Sequence, residues 1–167
     1  EVHSGPEPLR HQFNAEPSMR DLWETYLPAF KTLVKDGNVQ EVMCAYSAYE
    51  GEPCCTSSKL LVQILRDRWN YKGLVVSDCD AINDFYNKRA HGTHENAMTA
   101  SSDEVRNGTD LECGKSYQSL VEGMKQGTIS EKDIDVSLRR LIKARIELGM
   151  FDPDEMNPYS KIPGSVV

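Results

Sequence analysis

The chain has 167 residues, a formal net charge of −7 and 39% hydrophobic residues, a globular composition with apolar material for a core. The acidic balance excludes a nucleic-acid footprint, which needs a basic face. No run approaches the ~18 consecutive apolar residues of a membrane span.

The first residues, Glu1-Val2-His3-Ser4-Gly5-Pro6, show no basic stretch leading into an apolar one, so no signal peptide is expected from them. The loop that follows is polar for its length and holds His3, Glu7, Arg10 and His11. Ser18 is a good helix cap, and Leu22, Trp23, Tyr26 and Leu27 share one helical face. Pro28 has no N–H and crowds the preceding turn. Two helices are therefore expected, one to about residue 25 and one over 28–35. Asp36-Gly37-Asn38 is the turn into a first strand over 41–46.

Thr56 or Ser57 then caps a helix with Leu60, Leu61, Ile64, Leu65 and Trp69 in one stripe, and Gly73 is its expected stop. The second strand covers 74–77. Its apolar, β-branched residues read as fully buried, and it ends abruptly on Ser77-Asp78. A looser stretch follows, with helical pieces near 81–87 and 95–106. Gly108 punctuates the chain before a short third strand over 109–112. Helices near 117–125 and 131–148 close the pattern. The last has Ser130 as cap and Ile134, Leu138, Leu141, Ile142 and Arg145 at helical spacing, with Gly149 and Pro153 at its end.

Strands alternating with helices imply an α/β fold with parallel strands and right-handed crossovers. Three such units fit a small doubly wound domain or part of a (β/α)8 barrel. A complete barrel needs at least ~200 residues.

Asp78 is the first candidate for chemistry. A carboxylate at the C-terminal tip of a buried parallel strand is where α/β barrels keep their reactive groups. An ionised carboxylate can also attack carbon and form a covalent intermediate. The competing reading is that Ser77-Asp78 caps a helix starting near Asp80. Tyr46 ends the preceding strand, where its phenol could hydrogen-bond Asp78 or simply line a wall. Glu112 ends the third strand and reads equally as an acid–base partner or as a cap. His91 and His94 flank a loop with no third metal ligand in view. The five cysteines, Cys44, Cys54, Cys55, Cys79 and Cys113, fit no zinc template. Buried free thiols are expected; a disulfide or a vicinal Cys54–Cys55 bridge is the alternative.

Several stretches act together. They are Val42-Met43-Cys44-Ala45-Tyr46-Ser47 with Gly51 and Pro53, and Leu65-Arg66 with Trp69. Gly73-Leu74-Val75-Val76-Ser77-Asp78 and Gly108-Thr109-Asp110-Leu111-Glu112-Cys113-Gly114 follow. Ala144-Arg145 and Leu148-Gly149-Met150-Phe151-Asp152-Pro153 complete the set. In this order and spacing the chain resembles glycoside hydrolase family 3, the β-glucosidase and β-xylosidase family, from about His3 to Pro153.

The resemblance implies a partial (β/α)8 TIM-type barrel, roughly its last three strand–helix units. Residues 1–153 would be the C-terminal half of a barrel domain, and 154–167 a linker toward a missing second domain. Asp78 would be the catalytic nucleophile and Tyr46 the tyrosine beside it. Met43, Tyr46, Glu7 and Arg10 are then the candidate sugar contacts, although the loop holding Glu7 and Arg10 reads equally as a solvated connection. No metal and no cofactor are implied. The family's Lys-His pair and its general acid/base have no counterpart here. The implied partners are therefore an upstream half barrel, a downstream α/β sandwich domain and the glycoside itself.

The implied activity is that of a retaining exo-β-glycosidase. It would hydrolyse β-gluco- or β-xylo-oligosaccharides, or aryl and alkyl β-glycosides, from the non-reducing end. Cys79 and Leu111-Glu112-Cys113-Gly114 resemble the xylosidase-like branch. The rival is a non-catalytic carbohydrate-binding remnant. An aldolase-like barrel is disfavoured, because no lysine sits at a strand end to form a Schiff base. Enzymes of this kind are often exported or periplasmic. Half a barrel leaves two sheet edges unpaired, so the isolated chain is expected to be inactive and aggregation-prone.

Overall fold

The computed structural model describes residues 6–166. Its strands are β1 (Asn14–Ala15), β2 (Glu41–Cys44), β3 (Ala48–Tyr49), β4 (Glu52–Pro53) and β5 (Leu74–Ser77). β2 and β5 run parallel, in register from Glu41 beside Leu74 to Cys44 beside Ser77. The helix Ser58–Arg68 makes the crossover between them. A second small sheet has the order β1-β3-β4, with β1 parallel to β3 and β3 antiparallel to β4. The architecture is α/β with parallel strands and helices, as the alternation implied.

Packing centres on β5. Val75 is fully buried, and Leu74 and Ser77 nearly so. Leu61, Ile64, Leu65 and Trp69 close over it from the crossover helix, joined by Ile82 and Phe85. Each such side chain contributes about 1.5–3 kcal/mol on burial. The expected stripe therefore faces the core. Ser57 is its cap, accepting from Leu60 N. The helix closes with a wide i→i+5 bond from Trp69 N to Ile64 O, and Asn70 follows with φ 57°. Gly73 is not the stop. A Cβ there would collide with Tyr71 Oη and lie 2.5 Å from Gln40 O, so only a bare backbone can enter β5 at this point.

Pro28 does not divide the helical run that precedes β2. Met19–Asp21 and Leu27–Lys35 are α-helical, and the segment between them, Leu22–Tyr26, is π-helical. A wider turn accommodates a residue that offers no N–H and crowds the turn before it. Ser18 caps the run through Asp21 N.

The third strand contracts to a single parallel bridge, Val76 to Leu111. Asp110 is the reason. Its Oδ2 accepts from Val75 N at 2.9 Å, so a side chain occupies a ladder position. The same carboxylate binds Arg66 and Arg140 at 2.7 Å each and has no exposed side-chain surface. This triad fastens β5, the crossover helix and the last helix to one another. β2 stops at Cys44, short of the expected 41–46, where Asp78 N takes the Cys44 carbonyl.

The expectation of free thiols is overturned. Cys44 is bonded to Cys55 and Cys79 to Cys113, while Cys54 is buried outside both bridges. The partners are 11 and 34 residues apart, and only the fold brings their Cα atoms to 5.1 and 4.4 Å.

The remaining helices follow the expected order with shifted ends. Asn83–Tyr86 is what remains of the 81–87 piece. Ala97–Arg106 and Glu131–Glu147 each start at a capping box, built on Asn96 with Thr99 and on Ser130 with Asp133. The 117–125 helix begins as a 3₁₀ turn, Ser116–Ser119, and continues as Leu120–Gln126. Gly149 ends the last helix region with φ 70°. Ile134 of that helix packs against Val105, Leu120 and Ile129, but further along Leu138, Ile142 and Ile146 are exposed. No described helix is long and apolar enough to cross a membrane.

Candidate active site

Parallel strands end on the same side of a sheet. Tyr46, just beyond β2, and Asp78, one residue beyond β5, therefore share one rim. Asp78 N donates to Cys44 O at 3.1 Å, and Asp78 Oδ1 accepts from Cys79 N at 2.7 Å. The small sheet brings in the N-terminal loop, because Asn14 and Ala15 pair with Ala48 and Tyr49 directly after Tyr46. Glu7, Arg10, Met43, Tyr46 and Asp78 consequently line one cleft of about 470 Å³. All five residues singled out from the sequence meet there. Met43 is 56% exposed on its wall.

Tyr46 Oη donates to the Cys79 carbonyl at 2.6 Å. Burial raises the phenol's pKa, the adjacent Asp78 carboxylate raises it further, and Arg10 opposes both. The phenol thus stays protonated at neutral pH, anchored on the residue after Asp78. The Arg10 guanidinium lies 5.1 Å from the Tyr46 ring centroid and is paired with Glu7.

Glu112 takes the capping role rather than the acid–base one. Its oxygens accept from Ser116 N at 2.7 Å and Tyr117 N at 2.6 Å, which commits both to a helix start. Asp78 does not cap a regular helix: its carboxylate turns back to the next backbone N–H. His91 Nε2 meets the Tyr46 carbonyl at 2.6 Å, whereas His94 is bonded to Asp103 and Thr93. The two histidines flanking that loop therefore serve different contacts. His3 lies outside the described residues.

The sequence reading missed the Cys79–Cys113 bridge at the rim. The signal was present, since both cysteines close strand ends that the alternation places side by side. It also missed Glu104, which is fully buried. Among the described residues, Cys44, Cys55 and Glu104 lie close enough to hold a metal, but the two sulfurs are bonded to each other.

The chain matches the glycosyl hydrolase family 3 N terminal domain over residues 10–144. It is 50% identical over 169 residues to a xylan 1,4-beta-xylosidase of Xylanibacter ruminicola, covering 99% of this chain and 19% of that protein. It is 35% identical over 154 residues to beta-D-xylosidase 1 of Arabidopsis thaliana, covering 92% of this chain and 20% of that one. A solved GH3 exo-beta-xylosidase, in complex with a xylobiose aziridine activity-based probe, superposes with a TM-score of 0.86 at 33% identity, over 92% of this chain and 20% of its own. A beta-glucosidase from Listeria innocua in complex with glucose gives 0.78 at 27% identity, over 89% of this chain and 20% of its own. The chain spans about a fifth of the length of these curated relatives. With most of the chain covered by the family pattern and half its residues shared with one relative, this chain belongs to the glycosyl hydrolase family 3 N-terminal domain family.

Proposed function

We propose that this chain is the nucleophile-bearing part of a retaining exo-β-glycosidase acting on β-xylosides, with β-glucosides as the second substrate class. The observation that carries the reading is Asp78, a half-buried carboxylate one residue past a buried parallel strand, in a cleft with Tyr46, Arg10 and Glu7. Relatives named as xylosidases support the substrate class.

In this scheme Asp78 attacks the anomeric carbon while a carboxyl group from outside the chain protonates the leaving oxygen. The covalent glycosyl-enzyme is then hydrolysed by water, with net retention. Tyr46, its phenol donating to Cys79 O, stands protonated beside the nucleophile and fixes the loop that carries it. Arg10 donates and Glu7 accepts, the complement needed to hold sugar hydroxyls. Met43 offers an apolar surface to the sugar ring. The scheme calls on no metal and no cofactor.

The reading extends to the architecture. Residues 1–153 supply about three strand–helix units of a (β/α)8 barrel, and 154–167 lead toward an α/β sandwich domain. A half barrel lies upstream. Two features support this. Among the described residues β2 has β5 as its one strand neighbour, and Leu138, Ile142 and Ile146 form an exposed apolar row. Open strand edges and apolar rows are surfaces that further units cover. Expressed alone, the chain should self-associate and turn over no aryl β-xyloside above background. An active monomer would overturn that part.

The decisive experiment uses the full-length protein and a 2-deoxy-2-fluoro-β-xyloside with a good leaving group. One fluoroxylosyl mass should appear on the peptide containing Asp78. Retained xylose binding with no adduct would favour a non-catalytic carbohydrate-binding protein instead.

A further inference from the structure

His11 is not part of the cleft wall, yet it touches two side chains that are. Arg10 Nε donates to His11 Nε2 at 3.3 Å. The imidazole lies against the Tyr46 ring, with centroids 4.3 Å apart. On its far side, His11 Nδ1 lies 2.7 Å from Asp84 Oδ2. A guanidinium nitrogen only donates and a carboxylate only accepts. The two partners together assign the tautomer: the proton is on Nδ1 and the lone pair is on Nε2.

The relay has a fixed end and a loose end. Asp84 sits on the helix Asn83–Tyr86 with its side chain 11% exposed, and its carbonyl accepts from His91 N and Gly92 N. Arg10 is 42% exposed and otherwise pairs with a more exposed Glu7. Exposed pairs of that kind hold geometry weakly. The contact through His11 is therefore the hydrogen-bonded tie of the guanidinium to a rigid element, beside its place 5.1 Å from the Tyr46 ring centroid. The same ring braces Tyr46 from behind, while Cys79 O and His91 hold its phenol and its backbone.

We infer that His11 and Asp84 are a positioning pair that aims Arg10 and Tyr46 at the sugar bound beside Asp78. The inference rests on the glycosidase reading of the cleft. Neither residue reaches the reacting atoms. Their effect belongs to sugar affinity, exerted through Arg10, more than to the chemical step.

The test uses the full-length protein, with 4-nitrophenyl β-xyloside turnover, calorimetric xylose binding and fluoroxyloside labelling measured in parallel. His11→Phe keeps a ring against Tyr46 and removes both nitrogens. It should raise KM and the xylose dissociation constant about tenfold, the worth of one charge-assisted hydrogen bond. Its kcat should move by less than about threefold, because the interaction lost is one of binding. Asp84→Ala should show the same split. Asp84→Asn keeps an acceptor for Nδ1–H and should restore most of the affinity. Where His11→Phe does not fold, the two Asp84 variants carry the comparison.

Wild-type xylose affinity in His11→Phe, a loss confined to kcat, or Asp84→Asn no better than Asp84→Ala would each overturn the pairing. In those cases labelled, active wild-type protein leaves the glycosidase reading standing. Wild-type protein that is neither labelled nor active removes that reading, and the positioning role with it.

Discussion

Cys79, the residue after Asp78, is bonded to Cys113, the residue after Glu112. The bridge clamps the loop of the candidate nucleophile to the chain leaving the Val76–Leu111 pairing. Two hydrogen bonds reinforce it, Asp80 N to Cys113 O at 2.6 Å and Cys113 N to Ser77 Oγ at 3.0 Å. Closing a span of 34 residues restricts the unfolded chain by about 4 kcal/mol. Replacing Cys79 and Cys113 with Ser in the full-length protein should lower the melting midpoint and, by loosening Asp78, reduce kcat. Thermal melts with and without a thiol reductant check this. Wild type should shift toward the double variant, which should itself respond less.

Asp78→Ala should reduce turnover of an aryl β-xyloside roughly 10⁴-fold or more, as expected when a nucleophile is lost. Azide should recover part of the rate by entering the vacated space. The product would then be a glycosyl azide of inverted configuration, read by NMR. Turnover near the wild-type rate would rule Asp78 out as the nucleophile.

Asp110→Ala should destabilise the protein by about 3–5 kcal/mol, the usual cost of removing one partner from a buried ion pair. Arg66, with 9% side-chain exposure, would lose its carboxylate, and so would Arg140. Val75 N would lose its acceptor inside the core. Urea titration of the full-length protein measures the change, and a midpoint equal to wild type would refute the role given to the triad.

Glu104 sets a pH dependence of stability. Burial raises its pKa well above 4.5, with Glu112 adding to the shift and Tyr117 opposing it. Beyond Tyr117, neither carboxyl oxygen meets a hydrogen-bond donor among the described residues. A carboxyl whose folded pKa is raised holds its proton more tightly in the native state. Its contribution is fully present below the unfolded value of 4.5 and is lost as pH rises through the folded value. Glu104→Leu should therefore be the more stable protein at pH 8, and its advantage should shrink toward pH 5. Denaturant midpoints at the two pH values decide the matter; an advantage that does not depend on pH would count against it.

Local signals in the chain determined much of this protein. The run Leu74-Val75-Val76-Ser77 was legible as β5 to the residue, because a short β-branched stretch bounded by Gly73 and Asp78 has one good conformation. The caps Ser18 and Ser130 were legible for the same local reason, as was the stop at Gly149, while the choice of Ser57 over Thr56 was not. The motifs around Tyr46 and Asp78 pointed to a family and to those two residues, while the polar N-terminal loop left Glu7 and Arg10 equally open as sugar contacts or a solvated connection.

Only the tertiary structure decided what depends on contacts between distant residues. The third strand yielded to the Asp110 side chain, because two arginines far apart in sequence neutralise its carboxylate inside the core. Pro28 stayed within a continuous helical run, because a π turn before it relieved the crowding. Glu112 became a cap because Ser116 N and Tyr117 N needed acceptors. Cys44 found Cys55 once the β3–β4 hairpin turned the Cys54–Thr56 segment back beside β2, and Cys79 found Cys113 once the Val76–Leu111 bridge set their chains side by side. His11 met Asp84 across 73 residues for a similar reason: β1 lies along β3 and lowers the N-terminal loop onto the rim. Propensity and patterning act over a few residues, whereas these contacts exist only after the chain has closed on itself.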